Sequence, residues 1–111
     1  MTRATLLLSI AALLAACAPS SPVSILTHDY PCYTDFLDGH LVVDADSGVA
    51  VESDRGRFPV VWPKGAMGRM SGSQVEVLDS RGSVMARTDT DVRLGGAKVQ
   101  EGWYACAAWP Q

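Results

Sequence analysis

Lysine is nearly absent from this sequence, and positive charge gathers nowhere along it. Lys64 and Lys98 are the only lysines, and the 111-residue chain carries nine Lys and Arg against 12 Asp and Glu, a formal net charge of −3. Nucleic acids and anionic lipid surfaces are bound through clusters of positive charge. The sequence therefore disfavours nucleic acid as a partner.

Histidine is scarce, and the motifs of nucleophilic catalysis are missing. His28 and His40 are the only histidines, and neither stands in a pattern such as Gly-x-Ser-x-Gly. Asp44-Ala45-Asp46 places alternate carboxylates before Gly48, but a calcium loop needs a further ligand, a later glycine and a closing glutamate. We therefore expect a hairpin turn there, and we predict a protein with no catalytic residues, no metal and no cofactor.

No hydrophobic run is long enough to form a permanent membrane-spanning helix. Uncharged residues extend from Ala4 to Ala16, whereas a spanning helix needs about 20 apolar residues. Arg3 before the run and the small residues at its end are typical of a signal peptide.

The end of this run resembles the lipobox of bacterial lipoproteins. Leu14, Ala15, Ala16 and Cys17 match its pattern of an aliphatic residue, two small residues and a cysteine. The resemblance implies cleavage before Cys17, a diacylglyceryl thioether on its sulfur and acylation of the new N-terminus. It also implies a lipid anchor in the cell membrane or outer membrane, with the protein on the extracytoplasmic side. The alternative is an ordinary secretory signal that leaves Cys17 as a free thiol.

Assigning Cys17 to lipid leaves an even pair, Cys32 and Cys106, out of three cysteines. Export places the chain in an oxidising compartment where a disulfide persists. Closing a loop of this length stabilises a fold by about 4–5 kcal/mol in the loop-entropy model. We therefore predict a Cys32–Cys106 disulfide, with two buried free thiols as the alternative.

The remaining chain divides into a linker and one domain. We predict a signal peptide over residues 1–16, a lipidated flexible tether over 17–28, which is uncharged until His28 and contains two prolines, and a folded domain over 29–111. Tyr33, Phe36 and Leu37 have the spacing of a helix face, so we expect a short helix between Asp29 and Gly39.

Beyond Gly39 the pattern predicts an antiparallel β domain. Short valine-rich runs alternate with Gly, Asp and Ser turns, and Val75 and Val77 enclose a charged Glu76. The domain is too short for an immunoglobulin-sized sandwich, which favours a small, partly closed barrel like the oligonucleotide/oligosaccharide-binding (OB) fold. The expected strands are 41–43, 49–52, 58–62, 74–78, 83–87, 91–94 and 103–106.

Four aromatic residues form the candidate binding surface. They are Trp62, Trp103, Tyr104 and Trp109, because aromatic rings on a β surface stack against saccharides and peptides. The alternative places them in the core, above all Trp62 and Trp103.

Two further resemblances bear on function. Val60-Val61-Trp62-Pro63, Val77-Leu78-Asp79 and Leu94-Gly95-Gly96 resemble a family of small exported bacterial β-proteins of unassigned activity. Size, cysteine pair and barrel plan are similar to those of membrane-bound lysozyme inhibitors, although Ser71-Gly72-Ser73-Gln74-Val75 lacks the tyrosine of their inhibitory loop.

The sequence thus predicts a non-enzymatic, membrane-tethered module that binds an envelope protein or glycan. Inhibition of a cell-wall hydrolase is the alternative. A hydrolase is a third reading, and it requires His40 to converge with two carboxylates in a pocket.

Overall fold

The structure is a computed structural model that describes residues 21–111. The predicted signal peptide and Cys17 lie outside these residues. The described residues form ten strands and no helix, so none of their elements is a helix able to span a membrane. The strands are β1 (Pro22–Val23), β2 (Leu26–His28), β3 (Asp35–Asp44), β4 (Gly48–Ser53), β5 (Gly56–Pro63), β6 (Met67–Ser71), β7 (Gln74–Leu78), β8 (Val84–Arg87), β9 (Asp91–Lys98) and β10 (Trp103–Pro110).

Five strands close into a ring. The order β10-β9-β3-β4-β5 is antiparallel throughout, and a parallel pairing of β10 with β5 joins its two ends. That closing pairing covers only Trp103 and Tyr104, opposite Val60 and Val61. The rest of β10 is paired on one side only, so the predicted small, partly closed, OB-like barrel is confirmed.

A second sheet packs against the ring. Its order is β1-β6-β7-β8, with all neighbours antiparallel. Val75 and Val77 of β7 are fully buried in the same core as Leu37 and Trp62 of the ring. All seven predicted strands are present, and the sequence did not reveal β1, β2 and β6.

The predicted helix between residues 29 and 39 is wrong, because β3 begins at Asp35. Leu37 and Leu41 are buried while Phe36 is half-exposed, which is the two-residue alternation of a strand. Gly39 does not end an element. It lies mid-strand where β4 passes close by, since a Cβ atom there would be 2.6 Å from a Val51 methyl and 2.7 Å from the Glu52 carbonyl oxygen.

The tether was predicted to extend to residue 28, and this boundary is also wrong. Pro22 and Val23 pair with β6, and Leu26 to His28 run parallel to β5. Val23 and Ile25 pack against the core. The folded unit therefore begins at or before Pro22.

The predicted disulfide is present and joins Cys32 to Cys106, with their Cα atoms 5.7 Å apart. Cys106 occupies a bulge in β10, where the pairing with β9 shifts register between Ala105 and Ala107. The bridge fastens the segment before β3 to the last strand of the ring.

Candidate functional site

Three of the four predicted surface aromatics are in the core. Trp62 and Trp103 are completely buried and Tyr104 is 3% exposed, whereas 47% of Trp109 is exposed. Trp62 and Trp103 belong to the hydrophobic core, because a barrel this small needs large side chains to fill its interior, whereas the Tyr104 ring packs edge-on against Tyr30, with centroids 5.3 Å apart. The binding surface proposed from sequence is therefore corrected to one residue, Trp109.

Trp109 belongs to an aromatic pair on the outer face of β3, β9 and β10. The strand registers place Phe36, Gly95 and Ala107 in one row across these strands. The centroids of the Phe36 and Trp109 rings are 5.9 Å apart, and the Trp109 ring lies above Gly95. Two half-exposed rings thus share a surface whose centre has no side chain.

The next row supplies a charged pair. Asp38, Arg93 and Trp109 are aligned across β3, β9 and β10. Arg93 donates from Nε to Asp38 Oδ1 at 2.7 Å and from Nη2 to Oδ2 at 3.0 Å. These bonds lower the pKa of Asp38 and raise that of Arg93. The guanidinium also lies 5.8 Å from the Phe36 ring centroid.

A third row adds an imidazole and another carboxylate. His40 of β3 faces Asp91 of β9, and its Nδ1 lies 2.8 Å from Asp91 Oδ1. We call the exposed face formed by Phe36, Asp38, His40, Asp91, Arg93 and Trp109 the outer platform. Its neighbouring rings, guanidinium, carboxylates and imidazole can both stack and exchange hydrogen bonds.

His40 lies in an open depression that is also lined by carboxylates, and Asp91 is the carboxylate in contact with its ring. The depression has a volume of about 620 Å³ and includes Glu52, Asp54 and Asp91. Among the residues that line this depression, Ser53 alone carries a hydroxyl group, and its Oγ donates to the Gly56 carbonyl at 2.9 Å. Within residues 21–111 no group of three acidic, histidine or cysteine side chains could hold a metal ion.

The second concave feature is an apolar groove between β8 and β10. We call it the seam groove; it holds about 370 Å³. It lies where the second sheet ends beside the singly paired part of β10. Its lining residues are Val84, Met85, Ala86, Arg87, Thr90, Val92, Ala108, Trp109 and Pro110.

A buried carboxylate links three strands of the second sheet beside this groove. Glu76 of β7 is 5% exposed and lies between two arginines of the neighbouring strands. Arg87 Nε donates to it at 2.7 Å and Arg69 Nε at 2.9 Å. These hydrogen bonds lower the pKa of Glu76, and the bond from Arg87 has the larger effect.

The Asp44–Gly48 segment is a hairpin turn between β3 and β4, as predicted. Asp44 Oδ2 accepts hydrogen bonds from the Ser47 amide at 2.9 Å and the Ser47 hydroxyl at 2.8 Å, while Arg57 Nη2 donates to Oδ1 at 2.8 Å. These bonds hold the pKa of Asp44 well below its usual range. The Asp44 carboxylate therefore stabilises the turn.

The counterpart of the lysozyme-inhibitor loop is the tip of the β6–β7 hairpin. Ser71, Gly72 and Ser73 are exposed there, and no atom lies within 4 Å of the Cβ position of Gly72. The tip presents small residues and no ring to a partner.

Comparison with protein-family models, with curated proteins and with solved structures found no match. Sequence reasoning missed Phe36, Asp38 and Arg93, although the alternation of Asp91-Val92-Arg93-Leu94 already placed Arg93 on an outward face.

Proposed function

We propose that this chain is a lipid-anchored, non-enzymatic module on the extracytoplasmic side of a membrane, and that its outer platform binds a glycan of the cell envelope. The observation that carries the ligand class is the exposed Phe36–Trp109 pair beside the Asp38–Arg93 fork. Aromatic faces cover the apolar C–H face of a sugar, because rings combine a large apolar surface with rigid geometry.

The polar groups of the platform suit hydroxyl groups. A carboxylate accepts hydrogen bonds, a guanidinium donates them and an imidazole does both. A sugar hydroxyl can donate and accept, so a surface that offers both functions within two rows of one sheet is complementary to it. Asp38 and Arg93 neutralise each other at 2.7 Å, which favours an uncharged ligand over a polyanion.

The lipid anchor rests on the lipobox resemblance at Leu14 to Cys17. Two or three acyl chains hold a protein on a bilayer, whereas one chain binds only weakly. In the native host, the wild-type chain should fractionate with membranes and show the mass of a lipidated N-terminus. Cys17→Ala should release it. Membrane retention of Cys17→Ala, together with an unlipidated wild type, would contradict the anchor.

Glycan binding is tested with the full-length protein in non-ionic detergent against insoluble peptidoglycan and other envelope polysaccharides. Trp109→Ala and Phe36→Ala should each weaken retention about fivefold, the equivalent of about 1 kcal/mol for one stacked ring. Met67→Ala is the matched control, because Met67 is also exposed but lies on β6, away from the platform. Equal retention of all three variants would exclude the platform as the site.

The same preparation distinguishes the alternative function. Inhibition of muramidase that survives Trp109→Ala and is lost on changes at Ser71 or Ser73 would replace glycan binding with hydrolase inhibition. Glycan hydrolysis that is abolished by His40→Ala would instead make the protein an enzyme.

A further inference from the structure

The free edge of β8 is a second candidate binding site, separate from the outer platform. β8 is the last strand of its sheet and is paired only with β7. Across the seam groove, Ala107 to Pro110 of β10 are paired only with β9. Two strand edges therefore border one apolar depression of about 370 Å³.

The backbone of β8 directs hydrogen-bonding groups toward this groove. The Thr88 amide donates to the Val75 carbonyl at 2.9 Å, toward β7. Because backbone groups alternate between the two edges of a strand, those of Arg87 point to the free edge. The Thr90 hydroxyl, which lines the groove, already donates to the Arg87 carbonyl at 2.6 Å, so the Arg87 amide is the group that this residue offers to a partner strand.

The side chains beside this edge provide an apolar floor and a positive charge. Val84 is 38% exposed, and Ala108, Trp109 and Pro110 form the opposite wall. Arg87 uses Nε for Glu76 at 2.7 Å and remains half-exposed.

The charge balance beside the groove is positive. Two arginines, Arg69 and Arg87, share the single carboxylate of Glu76, so the cluster retains one positive charge; of the two arginines, Arg87 is the one that lines the groove.

We propose that the β8 edge receives an extended polypeptide of a partner protein as an added strand, and that a carboxylate side chain of that polypeptide binds Arg87. Alternating amides and carbonyls on an open edge are matched by another peptide backbone, with side-chain pockets giving specificity. The positive charge of the arginine cluster favours an acidic side chain on the partner polypeptide. This binding goes beyond the proposed glycan site and uses the opposite flank of Trp109.

A second copy of this chain fits the edge poorly. Antiparallel pairing of β8 with β8 would bring two positively charged arginine clusters into one continuous sheet. Charge on a short edge strand is a common defence against such pairing. The occupant is therefore a different chain with an acidic residue.

The test uses fluorescence anisotropy of the full-length protein in non-ionic detergent. The probes are dye-labelled seven-residue peptides that alternate valine and threonine, with glutamate, glutamine or lysine at each inner position in turn. We expect saturable binding that is about two- to fivefold tighter for a glutamate peptide than for its glutamine counterpart. Two further peptides carry N-methyl groups on the odd-numbered or on the even-numbered amides. Only one of these two sets faces the β8 edge, so one of the two methylated peptides should bind more than tenfold more weakly.

Two matched variants locate the site. Arg87→Gln should abolish the preference for glutamate, whereas Arg81→Gln, which removes an exposed positive charge that neither joins the Glu76 cluster nor lines the groove, should keep it. The probe peptides carry no sugar, so a failure of the glycan proposal does not affect this test. Hydrogen exchange at the Arg87 amide should slow when the peptide is bound.

Three results would overturn the proposal. They are no saturable binding by any peptide of the series, no effect of methylating either alternate set of peptide amides, and equal effects of Arg87→Gln and Arg81→Gln. Concentration-dependent dimerisation that is lost with Val84→Lys would assign the edge to a second copy instead.

Discussion

The indole ring of Trp109 lies directly above Gly95 of the neighbouring strand. A Cβ atom at position 95 would be 3.1 Å from Cζ3 and 3.2 Å from Cη2 of that ring. Phe36, the partner of Gly95 on β3, carries the second ring of the platform. The absence of a side chain at position 95 therefore determines where the exposed indole rests.

Gly95→Val should displace this ring and weaken glycan retention to a similar extent as Trp109→Ala, about fivefold. The free energy of unfolding should change by less than about 1 kcal/mol, because the site is on the outer face and valine favours strands. Tryptophan emission should shift, since Trp62 and Trp103 are buried and only Trp109 changes its surroundings. Unchanged retention despite a shifted emission would separate the ring from binding.

Gly96→Ala should be far more damaging than Gly95→Ala. A Cβ atom at position 96 would collide with the carbonyl oxygen of Tyr104, which is backbone and cannot turn away. We expect a loss of about 3 kcal/mol, at the upper end of the range for overpacking. Urea unfolding of the two adjacent variants measures the difference, and equal stabilities would show that β9 and β10 can separate without cost.

Removing the disulfide by Cys32→Ala together with Cys106→Ala should lower the free energy of unfolding by about 2–5 kcal/mol. The bridge spans 74 positions and ties the segment before β3 to β10. The midpoint of urea unfolding measures the change. Intact mass before and after reduction should differ by two hydrogens; identical masses would contradict the bridge.

The Asp44 carboxylate should make stability depend on pH. Its pKa is lower in the folded chain than its usual 3.8, because of bonds from Arg57 and Ser47. Its stabilisation is therefore complete above that usual value and is lost as the pH falls through the lower, folded value. At pH 7, Asp44→Asn should cost about 1–2 kcal/mol, and this difference should shrink steadily below pH 4.

Asp46→Asn is the control for this measurement, because Asp46 is exposed in the same turn. It should leave the stability unchanged throughout the titration. A cost for Asp44→Asn that stays constant down to pH 2 would show that the turn depends on side-chain shape and not on charge.

Strands β7 and β9 could be predicted from the sequence because each shows local alternation of apolar and charged residues. Val75 and Val77 are fully buried, while Glu76 turns to the other face and meets arginines. Val92 and Leu94 face the core in the same way. Period-two alternation is a property of neighbouring residues, so it is visible without any knowledge of the partner strands.

The features that the sequence did not predict depend on pairing with residues distant in the chain. Leu26 to His28 form a strand because β5 lies alongside them, and their own composition is that of a linker. Tyr33, Phe36 and Leu37 match a helical spacing by coincidence, while β9 pairs with Asp35 to His40 and makes this segment a strand. The outer platform likewise arises from the register of three strands, which no local pattern reveals.

The early start of β1 limits how far the barrel can travel from a lipid on Cys17. Pro22 is already paired with Arg69, and an extended chain covers at most about 3.6 Å per residue. Under the proposed anchor, the first paired residue stays within about 18 Å of the acylated sulfur's backbone. With Cys17 acylated as proposed, the β1 end of the barrel would therefore lie close to the lipid headgroups.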